Sequence, residues 1–305
     1  MSRRVAVWAP LAAVIACGPT TAPAPPRRAD ADGQGRGLPS PDALEAQIEP
    51  RLLRLSACAV DELGIAAGCA ENAAWEEAWF AAVEDQADRA AVATVAARLG
   101  ARHLSHRSAA VRVQALSLLA ESGEAGSGDA VAATIADEED AATRRAMVSE
   151  AASAVPLRPA QTDRAGFGPL FVDLARDDDA QIRLLASGWL SAPPFPVDGA
   201  ADAVIEMMRN DPDIEVRGQV CESAAGLGRD EVVAAMAAVT ARPDDAPGDM
   251  YERCMSGLIQ AWVTPWYPIN EKAYRLTLEH LRATPRSDRA PPADALGFLL
   301  LLGTE

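Results

Sequence analysis

The stretch Ser108–Leu119, SAAVRVQALSLL, constrains this chain more than any other, because relatives of it recur downstream. Asp140–Val148 reads DAATRRAMV, Asp179–Leu190 reads DAQIRLLASGWL and Asp213–Ala224 reads DIEVRGQVCESA. In each, a small or acidic residue is followed four positions later by an arginine that opens an apolar helical face. These arginines, Arg112, Arg144, Arg183 and Arg217, are spaced 32, 39 and 34 residues apart. A repeat of roughly 20–50 residues with helical periodicity inside it marks a solenoid of stacked helix pairs. Strand-type alternation is nearly absent and alanine abounds, so the expected class is all-α.

Each repeat reads as a first helix carrying the arginine, a turn marked by Gly or Pro, and a second helix. The second helices are expected near Asp129–Ala136, Pro169–Arg176, Ala200–Arg209 and Arg229–Arg242. A looser fifth unit runs from Asp249 through Trp262, with Tyr251 or Arg253 in the place of the repeat arginine and Asn270–Arg282 as its second helix. Asp213–Ala238, DIEVRGQVCESAAGLGRDEVVAAMAA, is the cleanest copy. This pattern, an aspartate, an aliphatic residue before the arginine, a Gly-rich turn and an acid-started second helix, resembles the HEAT repeats of the bilin-lyase-like subclass. The resemblance covers about Ser108 to Arg282. It implies a right-handed α-solenoid of about five helix pairs, spanning residues 108–305. The second unit departs from it at Thr143, and the fifth lacks the Asp-x-x-Val-Arg core.

Within this reading Asp140, Asp179 and Asp213 cap their helices, satisfying orphan N–H groups. Arg112, Arg144, Arg183 and Arg217 then pair with acids of neighbouring repeats and stack the units. Residues 43–107 form a helical N-terminal cap that covers the first repeat, as an uncovered end unit would expose its apolar face. Trp75 and Trp79, four apart on one helix face, are expected in that cap's core rather than as an exposed platform. The tail Ala293–Leu302, too short for a transmembrane helix, is read as the cap of the last unit.

The N-terminus has a different character. Arg3 and Arg4 precede the apolar run Val5–Ala16, whose 12 residues suit a signal peptide rather than a membrane span. The run ends Val14-Ile15-Ala16-Cys17, which resembles the lipobox of bacterial lipoproteins. That resemblance implies that residues 1–17 are the lipoprotein signal region and that Cys17 is diacylated and becomes the mature N-terminus. It places the protein in the bacterial cell envelope; Gly18 after the cysteine favours the outer membrane. Residues 18–42, rich in Pro, Ala and Gly, read as a disordered tether.

Cys58, Cys69, Cys221 and Cys254 remain. An even number in an exported chain points to two disulfides, with four buried thiols as the alternative. Cys221 and Cys254 lie 33 residues apart, near one repeat length, and Cys58 and Cys69 lie 11 apart in the cap. His103 and His106 could present two ligands to a metal, but histidines at a helix C-terminus are also favourable against its dipole. No metal or other cofactor is expected. Acidic clusters at the repeat junctions, Asp137–Asp140 and Asp177–Asp179, read as solvated caps.

The formal net charge is −16, with Lys272 the single lysine. Such a surface repels phosphate backbones, so nucleic acid is not an expected partner. No nucleophile elbow or Gly-rich phosphate loop is present. The expectation is therefore a monomeric, non-enzymatic scaffold, anchored by lipid, that binds an envelope protein or peptide. An enzyme subunit or a glycan- or small-molecule-binding protein that uses the solenoid groove is the alternative. Trp262, Trp266 and Tyr267 are expected to be buried in repeat packing; their exposure would favour ligand or glycan stacking.

Overall fold

The computed structural model describes residues 40–263, apart from residues 63, 86–88, 155, 156, 158–163, 192, 194 and 241–248. Cys17, residues 18–39 of the expected tether, the tail, the expected helix Asn270–Arg282 and the pair Trp266/Tyr267 lie outside the described residues, as does the side chain of Trp262. The last three residues assigned to the tether belong to the fold instead: Ser40 caps a helix that begins at Pro41, and Asp42 pairs with Arg98. The chain is all-α. Among the described residues the one exception is a hairpin in the cap, too short to leave a periodic signature in sequence.

The cap comprises α1 (Pro41–Arg54), a 3-10 turn (Leu55–Ala57), strands β1 (Val60–Asp61) and β2 (Gly64–Ile65), α2 (Ala70–Asp85) and α3 (Arg89–His103). The two strands pair antiparallel, Val60 opposite Ile65 and Asp61 opposite Gly64. Beyond the cap, helices alternate: α4 (Ala109–Ser122), α5 (Ser127–Asp137), α6 (Ala141–Ser153), α7 (Arg164–Leu174), α8 (Ala180–Ser191), α9 (Ala200–Asn210), α10 (Ile214–Ser223), α11 (Asp230–Thr240) and α12 (Met250–Val263).

The packing has a simple rule. Each first helix lies against the first helix of the next unit: α4 on α6, α6 on α8, α8 on α10 and α10 on α12. The second helices follow suit, α5 on α7, α7 on α9 and α9 on α11. A helix with neighbours on several sides must be apolar on several faces. α4 shows this directly. Its Ala110, Val111 and Leu118 join the core of the cap, with Trp75, Trp79 and Leu99. Its Val113, Leu116 and Leu119 join the core that runs on through α12. The stretch that stood out in the sequence is the helix shared by both cores.

Local signals start the helices as expected. The side chains of Asp140, Asp179 and Asp213 accept hydrogen bonds from the N–H groups of Thr143, Gln181 and Glu215, each at 2.8 Å. Thr143, which replaces the aliphatic residue of the pattern, turns its hydroxyl to Asp140 at 2.7 Å. Helix α4 ends at Gly123, whose φ of 68° is left-handed and favours glycine. At Gly257 of α12 the need is space. A Cβ there would lie 2.4 Å from the carbonyl oxygen of Cys221, so only glycine lets α12 approach α10 this closely.

Candidate functional site

Arginine rungs link successive units. Arg112 donates through Nη2 to Glu138 at 2.6 Å and through Nη1 to the carbonyls of His106 and Arg107 at 3.0 and 3.3 Å. Arg144 donates through Nη1 and Nη2 to the carboxylate of Asp177, the former at 3.0 Å. Arg183 grips Asp211 with two parallel bonds of 2.7 and 2.8 Å, and its Nη1 reaches the carbonyls of Asp177 and Asp178 at 2.8 and 3.1 Å. The partner is in every case the acid two residues before the next capping aspartate. That acid also accepts from the capping residue's own N–H: Asp140 to Glu138 at 3.2 Å, Asp179 to Asp177 and Asp213 to Asp211 at 2.9 Å each. One acid of each junction cluster thus faces inward, where sequence reading placed both in solvent.

Arg217 differs. Its Nε is buried with no hydrogen-bond partner, and the position two before the next capping residue, Asp249, is Pro247. Arg253 holds the equivalent position in α12. Its N–H bonds the carbonyl of Asp249, as those of Arg144, Arg183 and Arg217 bond Asp140, Asp179 and Asp213. Its guanidinium donates to Asp249 at 2.8 Å and Glu215 at 2.9 Å. Tyr251 is core, 1% exposed.

The cysteines are joined in two disulfides. Cys58–Cys69 clamps the two ends of the cap hairpin, with Cα atoms 5.7 Å apart. Cys221–Cys254 joins α10 to α12, with Cα atoms 4.6 Å apart and both residues fully buried. His103 lies 2.8 Å from a carboxylate oxygen of Glu49 in α1, and His106 Nδ1 accepts from the N–H of Ser108 at 3.1 Å. Both histidines are thereby committed to the junction of cap and first unit. Arg102 and His103 together hold the Glu49 carboxyl below the usual carboxylate range. Trp75 and Trp79 are core and stack with centroids 5.8 Å apart.

The concentration of chemistry that sequence reading missed is a carboxylate pair beneath the cap. Glu121, at the end of α4, accepts from Nε1 of Trp79 at 3.0 Å. Glu150 lies on the neighbouring first helix, α6. The Ser117 hydroxyl stands between them, 3.5 Å from Glu121 and 3.0 Å from Glu150. The hairpin closes over Glu150, where a Cβ on Gly64 would lie 3.5 Å from Oε1. Each glutamate keeps a narrow solvent-facing edge; the protein packed around the carboxyls dominates their chemistry. Burial pushes Glu121 up to about 7, opposed by the Trp79 hydrogen bond and reinforced by the charge of Glu150. Burial likewise raises Glu150, opposed by Ser117 and reinforced by Glu76. Such a pair can hold and pass a proton. No local signal in the sequence distinguishes it, since Trp79, Glu121 and Glu150 meet only through packing.

Compared with protein-family models, with curated proteins and with solved structures, the chain matches none.

Proposed function

We propose that this protein is a lipid-anchored scaffold of the bacterial cell envelope, a right-handed α-solenoid of HEAT type with about five helix pairs. It holds a protein or peptide partner in the groove along α5, α7, α9 and α11. The observation that carries the reading is the packing rule: first helix on first helix, second on second, unit after unit. Repetition of this kind builds an extended face rather than a single pocket, and extended faces suit polypeptide partners. The lipobox-like Val14-Ile15-Ala16-Cys17 supplies the anchor, and the tether of residues 18–39 lets the folded part search the space near the membrane. No helix among the described residues is long and apolar enough to cross a membrane.

Crosslinking in intact cells, with capture through a C-terminal tag, tests this. One envelope protein recovered with wild type and lost with Cys17→Ala is the expected result. Recovery of no partner with either form would sink the scaffold reading. The Glu121/Glu150 pair favours a second reading, catalysis or small-molecule binding at the cap junction. Against it, Trp79, Ser117 and Gly64 already occupy the near sides of both carboxyls. Glycan or small-molecule turnover abolished by Glu121→Gln and Glu150→Gln would establish that reading instead.

A further inference from the structure

We propose that Glu121 and Glu150 share one proton through the Ser117 hydroxyl, and that this proton latches the cap onto the first two helix pairs. Counting hydrogens leads to it. A serine hydroxyl owns a single proton but lies within reach of two carboxyl groups, at 3.5 and 3.0 Å. If it donates to Glu150, the closer partner, its lone pair faces Oε1 of Glu121. Two acceptor oxygens facing each other at 3.5 Å repel, and a hydrogen on Glu121 turns that approach into an attraction. With that hydrogen the chain closes in one direction. Trp79 N–H donates to Oε2 of Glu121, the Glu121 hydroxyl donates to Ser117, and Ser117 donates to the Glu150 carboxylate. Every donor then meets an acceptor, at the cost of one bound proton.

Among the described residues no neighbouring cation takes the proton's place. From α2 the charged group that bears on the pair is Glu76, of the same sign. The hairpin's Glu62 is turned to Arg145, and Arg145 is shared with Asp179 of the next unit. Arg112 and Arg144, on the same helices as the pair, are engaged by Glu138 and Asp177, and Arg183 of α8 by Asp211. From α3, Arg98, Arg102 and His103 are held by carboxylates of α1. Asp129 and Asp137 of α5 are exposed to solvent. Loss of the proton therefore leaves two carboxylates facing one hydroxyl in a crowded, low-dielectric junction.

The latch joins separate pieces of the chain. Trp79 belongs to α2, Ser117 and Glu121 to the first unit, Glu150 to the second, and the disulfide-clamped hairpin lies over Glu150. Docking of the cap is thus coupled to one proton, and the cap loosens as the pair ionises above neutral pH. This goes beyond the scaffold reading and does not depend on it.

The test uses the purified protein, with infrared difference spectra of the protonated-carboxyl band and tryptophan fluorescence followed from about pH 5 to about pH 9. In wild type, one buried carboxyl is expected to ionise near neutrality, and the fluorescence of the Trp75/Trp79 pair to change with it as a single-proton transition. Glu121→Gln, whose amide donates to Ser117 and accepts from Trp79, should remove both signals and leave the cap docked throughout. Glu150→Gln should move the transition to lower pH, because the anion that opposes ionisation of Glu121 is gone. A wild-type protein with no protonated carboxyl at neutral pH would overturn the proposal, as would a Glu121→Gln variant that titrates like wild type.

Discussion

Replacing Asp211 by alanine removes the acid from the most deeply buried rung. Arg183 and Asp211 are 7% and 5% exposed, and their carboxylate and guanidinium meet in two parallel bonds of 2.7 and 2.8 Å. The same carboxylate accepts the N–H of Asp213 at 2.9 Å and so seats the cap of α10. Truncation leaves the guanidinium stranded between α8 and α10 with only the carbonyls of Asp177 and Asp178 as acceptors. Breaking a buried ion pair by deleting one partner costs roughly 3–5 kcal/mol, most of it the desolvation of the charge left behind. The lost N–H acceptor adds about 1 kcal/mol. Urea unfolding followed by far-UV circular dichroism should therefore show Asp211→Ala destabilised by about 4 kcal/mol or more. Glu215→Ala is the companion measurement. Its carboxylate also pairs with an arginine, Arg253, but is 70% exposed, and exposed pairs contribute about 0–1 kcal/mol. If Asp211→Ala costs no more than Glu215→Ala, burial does not set the strength of the rungs and the reasoning fails.

Arg217 supplies the opposite expectation. Arg217 has a buried Nε without a partner, so Arg217→Met should be neutral or stabilising by up to about 1 kcal/mol in the same unfolding assay. A loss like that of Asp211→Ala would mean that Arg217 is paired after all. For pH, the raised pKa of Glu121 fixes the sign: stability from this group is fully present below about 4.5, the ordinary value, and is lost as pH rises through about 7. The interval of 7 − 4.5 = 2.5 units corresponds to about 3 kcal/mol at 1.36 kcal/mol per unit, and urea midpoints of wild type should fall over that window while those of Glu121→Gln stay level. The two disulfides close loops of 33 and 11 residues, for which chain entropy gives about 4 and about 3 kcal/mol. Cys221→Ala/Cys254→Ala should thus lower the melting temperature more than Cys58→Ala/Cys69→Ala. Finally, Gly257→Ala places a methyl against backbone carbonyls of α10 at 2.4 and 2.7 Å; a cost of at least about 1–3 kcal/mol is expected in denaturant titration.

The helices and their starts were legible because their causes are local. An aspartate caps the N–H groups two or three residues on, and an arginine four residues later begins the apolar face, so both features repeat visibly. Arg253 obeys the same four-residue offset from Asp249, although Tyr251 competed for the place when the aliphatic residue of the motif was missing. What misled was polarity read one residue at a time. Glu138 and Asp177 stand in acidic runs that sequence alone assigns to water, yet each faces an arginine 26 or 33 residues away. Only the stacking of one first helix on the next decides which acid of a run turns inward.

The carboxylate pair lay further from view. Glu121 ends an apolar helix and Glu150 ends a mixed one, and neither position is unusual locally. They become a site because α2 lays Trp79 across the first unit, 42 residues away in sequence, and because α4 and α6 pack side by side around Ser117. The sequence by itself determined the helical class, the capped starts and the spacing of the units, which depend on neighbours within one or two turns. Tertiary structure alone decided which charges are paired, which arginine keeps a buried Nε without a partner and which carboxyls are desolvated, because those depend on partners brought together only when the helices stack.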